Sequence, residues 1–94
     1  MPGYDRITPD LYGPGDVSDM IDWDGPVPRY QQLAAILRAQ IESGQLPPDR
    51  PITSKRTLGE MYGLGPHTVQ KAVALLVAEG LVTYVHGKGF YVTR

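Results

Sequence analysis

The chain has 94 residues, with 9 Lys/Arg against 10 Asp/Glu and no cysteine, a length that suits one domain with a small core. The missing cysteines exclude a disulfide framework and a thiolate zinc site. No apolar run is long enough to span a bilayer and no charged-then-apolar leader follows Met1, so the chain reads as cytoplasmic with no membrane partner. The net charge of −1 hides an asymmetry: residues 1–27 carry six aspartates against Arg6, whereas residues 28–94 carry eight Lys/Arg against four acidic residues. Binding responds to the local field, so the basic 28–94 segment is the one suited to an anionic partner.

Residues 1–27 are rich in Gly, Pro and Asp and lack helical periodicity, which predicts an irregular acidic arm. Tyr4, Tyr12 and Trp23 give it enough apolar surface to pin it to the far side of the domain. Alternatively, its aspartates, tethered beside the basic segment, compete with phosphates. From Pro28, Tyr30, Leu33, Ala34, Leu37 and Ile41 recur at helical spacing, and Gly44 with Pro47 and Pro48 stops that first helix. A short strand around Ile52 could add an edge to a later hairpin.

Ser54 is placed to cap a second, short helix whose buried face is Leu58, Met61 and Tyr62, ended by Gly63. Pro66 can open a third helix at a position that needs no N–H. Val69, Ala72, Val73, Leu76 and Val77 form its apolar stripe, and Gly80 stops it. The period then changes. Leu81–Val85 and Phe90–Thr93 are β-prone, and His86-Gly87-Lys88-Gly89 makes a hairpin connector. The fold class expected is α+β, a winged helix-turn-helix of three helices plus a C-terminal β-hairpin wing, spanning 28–94, with the helix-turn-helix at 54–73 and the wing at 81–93.

Two helices joined by a very short glycine turn are the helix-turn-helix signature. Gly59 is small where the helices must approach, Gly63 makes the turn and Leu64 plugs the corner. On the third helix, 66–79, His67, Gln70, Lys71 and Ala74 fall opposite the apolar stripe, where the N-terminal end of a recognition helix presents polar groups to base edges in the major groove. Lys88 between two glycines suits a phosphate or minor-groove contact at the 86–89 loop.

Residues 28–92 resemble the N-terminal domain of GntR-family regulators over nearly its full length. The resemblance is carried by Pro28-Arg29-Tyr30-Gln31-Gln32-Leu33, by Glu42–Pro48, by Ser54, Arg56 and Leu58, by Thr68-Val69 and Ala72, by Glu79–Val82, and by Gly87–Val92. It implies DNA-contact roles for Arg56, Thr68 and the Gly87–Gly89 loop. Taken with the face and charge arguments, the expected DNA-binding set is Ser54, Lys55, Arg56, His67, Thr68, Gln70, Lys71, His86, Gly87, Lys88 and Gly89. The chain departs from the family at Lys55 (usually Glu), Thr53 (usually Pro), Gly65-Pro66 (usually Ser-Arg) and Gln70 (usually Arg). Arginine reading of guanine is thereby weakened, and Gln70 could instead pair with adenine. Most members continue into a large ligand-sensing, dimerising domain, and this chain reads as the DNA-binding half standing alone.

The function expected is therefore sequence-specific binding of double-stranded DNA by a transcriptional regulator, a repressor in the first reading. No cofactor, metal or small-molecule effector is expected, and a homodimer on DNA, one chain per half-site, fits the motif. An enzyme is disfavoured: His67 and His86 have no evident carboxylate partner and Gly87-Lys88-Gly89 is not a P-loop. The alternatives kept open are a winged-helix protein-interaction module and an excisionase-like architectural factor, because fold alone does not fix function.

Overall fold

The computed structural model describes residues 20–94. Three helices, α1 (Arg29–Glu42), α2 (Lys55–Tyr62) and α3 (Pro66–Ala78), are followed by a hairpin of β1 (Val82–Val85) and β2 (Gly89–Val92). This is the winged helix-turn-helix architecture expected from the periodicities.

Each helix starts and stops for a local reason. α1 begins one residue later than expected: Pro28 is its N-cap, and its carbonyl accepts from Gln31 and Gln32 N–H. At α2, the Ser54 hydroxyl accepts from Thr57 N–H at 3.1 Å and donates to Thr57 Oγ1 at 2.8 Å, and Gly63 closes the helix in the left-handed region at φ 69°. A non-glycine residue pays a steric penalty there. α3 opens on Pro66 at its first turn and ends at Ala78, with Glu79 as C-cap.

The core sits where α1 lies against α3, and α2 closes one side. Leu33, Ala34 and Leu37 of α1 meet Val69, Ala72, Val73 and Leu76 of α3, with Leu58 and Tyr62 from α2, Leu64 from the turn and Val82 and Val92 from the hairpin. Val77, expected in the buried stripe, is 39% exposed. Successive helical residues rotate by about 100°, so Val77 follows Leu76 off the flank of the line that meets α1. Burial pushes the Tyr62 phenol above its ordinary range, against the opposing effect of a hydrogen bond with Gln40.

The hairpin pairs Val82 with Val92, Thr83 with Tyr91, Tyr84 with Phe90 and Val85 with Gly89. Gly89, read from sequence as connector, is the first residue of β2, because the Lys88 N–H reaches back to the Val85 carbonyl at 2.9 Å and closes the turn within three residues. The edge expected near Ile52 reduces to a single bridge, Pro51 with Tyr91. It is framed by Ile52 N–H to the Phe90 carbonyl (3.0 Å) and Val92 N–H to the Arg50 carbonyl (2.8 Å). Pro51 occupies a position in that bridge where no N–H is needed, which is where a sheet edge tolerates proline.

Two longer-range ties complete the frame. Arg38 of α1 grips both oxygens of the Glu79 carboxylate, donating from Nε at 2.9 Å and from Nη2 at 2.7 Å. Arg94 holds Asp49 at 2.7 Å. Ile21, ahead of α1, is buried in the core. The Gln32 side chain fastens the segment before the helix: it accepts from Asp22 N–H (2.7 Å) and donates to the Asp22 and Val27 carbonyls (3.0 and 2.8 Å). Tyr4 and Tyr12 of the expected arm lie outside the described residues.

Candidate nucleic-acid interface

The turn between α2 and α3 positions everything else. A Cβ at Gly59 would stand 2.9 Å from the Leu64 carbonyl oxygen, closer than a side chain can be accommodated without moving backbone. The close approach expected at Gly59 is therefore real, but the crowding atom belongs to the turn and not to the body of α3. Leu64 N–H donates to the Gly59 carbonyl at 3.0 Å, and Leu64 itself is 8% exposed, filling the corner. With the turn locked, α3 presents Pro66, His67, Gln70, Lys71 and Ala74 to solvent. Pro66, Gln70 and Ala74 recur at intervals of four, so they share one face.

Eight of the eleven residues singled out from sequence line three depressions, two of which share a lining residue. Lys55, Arg56 and Gln70 line a hollow between α2 and the mouth of α3, together with Gly59, Glu60, Leu64 and Pro66. Ser54, Lys55, Lys88 and Gly89 line a cleft between the α2 N-terminus and the wing. Lys55 is common to both. Thr68 and Lys71 line a third cleft, on the α1 side, with Trp23, Pro26, Arg29 and Tyr30. Residues 23–29 thus border the exposed helix and do not lie on the far side of the domain. His67 is exposed on α3, and His86 and Gly87 are exposed in the wing turn without lining any of these depressions.

Several cations are oriented by aromatic rings. The Lys55 ammonium sits 4.5 Å from the centroid of Phe90, whose ring packs at 5.1 Å against Tyr84 in a tilted pair. Lys71 stands 5.2 Å from the Tyr30 ring, and Arg29 stacks 4.5 Å over Trp23. Cation–π contacts of this kind are worth about 0.5–1 kcal/mol at exposed sites, enough to bias a side chain's direction without withdrawing its charge. Arg56 pairs with Glu60 one turn on, at 3.4 Å between largely exposed groups; such pairs contribute little. Ser54 has its hydroxyl engaged in capping α2. In the wing, Gly87 and Gly89 take φ of 77° and 112°, which keeps the backbone bare around Lys88.

Sequence reasoning passed over Phe90, Tyr30, Arg29 and Trp23 as part of this surface. In the sequence Tyr30 reads as a stripe residue and Phe90 as a strand residue, each within a run that carries the family resemblance, and neither as a partner for a cation. The signal available was that each partner cation, Lys55 or Lys71, lies on a different element, and only the fold brings those elements together. Among the described residues there is no cluster of His, Asp or Glu that could hold a metal, and no helix is long and apolar enough to cross a membrane.

A short-turned helix pair, an exposed third helix and a lysine-tipped hairpin define a winged helix-turn-helix of the DNA-binding type. The model of the bacterial regulatory proteins of the gntR family matches residues 29–92, and the chain belongs to that family. It is a family of transcription regulators, and the chain is not an enzyme. The HTH-type transcriptional repressor NagR of Bacillus subtilis is 38% identical over 74 residues, which is 79% of this chain and 30% of NagR. The AraR DNA-binding domain, solved in complex with operator ORX1, matches with a TM-score of 0.71 at 31% identity, covering 78% of this chain and 94% of that one. YtrA from Sulfolobus acidocaldarius, a GntR-family transcription factor, gives 0.72 at 34% identity, covering 79% and 78%. The chain spans less than a third of the length of these curated relatives, 30% of NagR and 19% of an arabinose metabolism transcriptional repressor from Geobacillus stearothermophilus.

Proposed function

We propose that the chain binds a specific DNA duplex and represses transcription, acting in the cytoplasm. α3 enters the major groove and the wing loop, His86–Gly89, lies on the backbone or in the minor groove. The observation that carries this reading is the continuity of the surface. Lys88 and Lys55 flank the wing cleft, Lys55 and Arg56 flank the hollow, and the hollow opens onto Gln70 of α3. Cations at the periphery with a polar, exposed helix at the centre is the arrangement in which phosphate contacts position and base contacts specify. The AraR domain bound to operator DNA and the repressor NagR support the same assignment.

In this reading Lys55, Arg56, Lys71 and Lys88 meet phosphates, His67, Gln70 and Thr68 reach towards base edges or the sugar–phosphate strand, Ser54 holds the α2 N-terminus in place, and the bare backbone of Gly87 and Gly89 lets the wing approach closely. Two chains occupy two half-sites, as helix-turn-helix proteins commonly do. Selection of bound sequences from a pool of random duplexes tests the proposal. One enriched sequence with a symmetric pair of half-sites is the expected result. A pool that stays random after repeated rounds would reject sequence-specific binding.

A further inference from the structure

The hollow at the mouth of α3 has a chemistry that phosphate binding does not use. It is an open depression of about 530 Å3 with a mainly apolar surface, to which Leu64 and Pro66 contribute, and Gln70 stands on its rim. Pro66 and Gln70 are one helical turn apart on the same face of α3. Lys55 and Arg56 on the α2 side of the hollow carry the charge that would hold a phosphate strand beside it.

We infer that this hollow reads an A·T step: Gln70 takes the adenine edge, and the exposed ring of Pro66 takes the C5-methyl of a neighbouring thymine. The inference rests on the DNA-binding reading above and adds the base it selects. The carboxamide of glutamine matches adenine N6 and N7, and apolar groups match the thymine methyl, which is the one apolar feature of the major-groove edge. Proline suits this role because its ring is a rigid apolar surface at a helix position that needs no N–H. Glu60, also on the rim, makes the competing outcome explicit, since a carboxylate accepts from cytosine N4. Glu60 belongs to α2, and Gln70 is the polar side chain that α3 brings to the hollow.

The test uses the full chain and the duplex it selects. Each thymine of the selected half-site is replaced in turn by uracil, which removes the methyl and keeps every hydrogen-bonding group, and the affinity is measured. One thymine per half-site, beside an adenine, should show about three- to fivefold weaker binding on losing its methyl, the effect expected for burying one such group. In Pro66→Ser, checked by thermal melting for an intact fold, that uracil penalty should vanish while the other thymines behave as before. Uracil tolerated at every position, or a penalty that persists unchanged in Pro66→Ser, would overturn the inference while leaving duplex binding intact. A half-site with cytosine and no thymine at that place would assign the hollow to Glu60 and overturn it too. A chain that selects no duplex at all would remove the DNA reading first, and this inference with it.

Discussion

The turn and the wing are built on different physical terms. At the turn, residues 59–66, nearly every side chain has a steric reason: a Cβ at Gly59 would meet backbone at 2.9 Å, Gly63 is left-handed at φ 69°, Leu64 is 8% exposed, and Pro66 opens α3. At the wing tip, residues 85–89, the backbone is closed by the Lys88 N–H to Val85 carbonyl bond, and the loop side chains are exposed. The strands anchor it through Val82 and Val92 in the core, and nearer the tip the contact with the helices is Lys55 on Phe90, which packs on Tyr84. A region fixed by packing loses stability when altered. A region held by a few polar and ring contacts instead changes what it can touch. The turn should therefore report on folding and the wing on binding.

The sharpest way to break that division is Gly59→Ala. Inside an exposed helix the change would ordinarily stabilise by about 0.5–1 kcal/mol. Here the collision with the Leu64 carbonyl should reverse the sign and cost about 1–3 kcal/mol, read as a fall in melting temperature. A variant that melts higher than the parent would mean that the turn is not sterically determined. Lys88→Ala should do the opposite. Its melting temperature should stay within error, while the slope of log affinity against log salt falls by about one ion, equally on all duplexes. An unchanged slope would remove the wing tip from the phosphate backbone.

Lys55 bridges the two regions and should show a little of each. Lys55→Gln should lower stability by about 0.5–1 kcal/mol through loss of the Phe90 contact, and should also reduce the salt slope. An effect on one of these alone would decide which region it serves. The smallest effect expected lies at Glu79, away from both. The Arg38 guanidinium, through its hydrogen bonds and charge, holds the Glu79 carboxyl below its usual range, partly offset by desolvation, and the arginine is raised in turn. A carboxyl lowered by folding stabilises the fold above its unfolded value, and that contribution is lost as the pH falls through the lower folded value. Thermal melts taken down through the acid range should show this loss in the parent and a reduced one in Glu79→Gln.

The same contrast explains what was legible in the sequence. Gly59, Gly63, Leu64 and Pro66 each obey a rule that acts within a few residues, so the short turn and the start of α3 could be read directly. Ser54 announced α2 in the same way. Arg38 meets Glu79 across 41 positions in sequence, Lys55 meets Phe90 across the wing, and Trp23–Tyr30 borders Thr68 and Lys71. No local pattern encodes those meetings, because they depend on how α1 and the hairpin dock. The extent of the hairpin and the exposure of Val77 depend on docking in the same way: a three-residue turn absorbs Gly89 into β2, and the side of α3 that α1 covers decides which residues of the stripe are buried.

The central claim is that the exposed face of α3 distinguishes one duplex from another, and Gln70→Ala tests it most directly. Affinity is measured for the parent and the variant on the selected site and on random duplex, at one salt concentration. The predicted result is a loss of about 1–3 kcal/mol on the selected site and little on random DNA, with the melting temperature unchanged. Equal losses on both duplexes, or no loss on either, would contradict it.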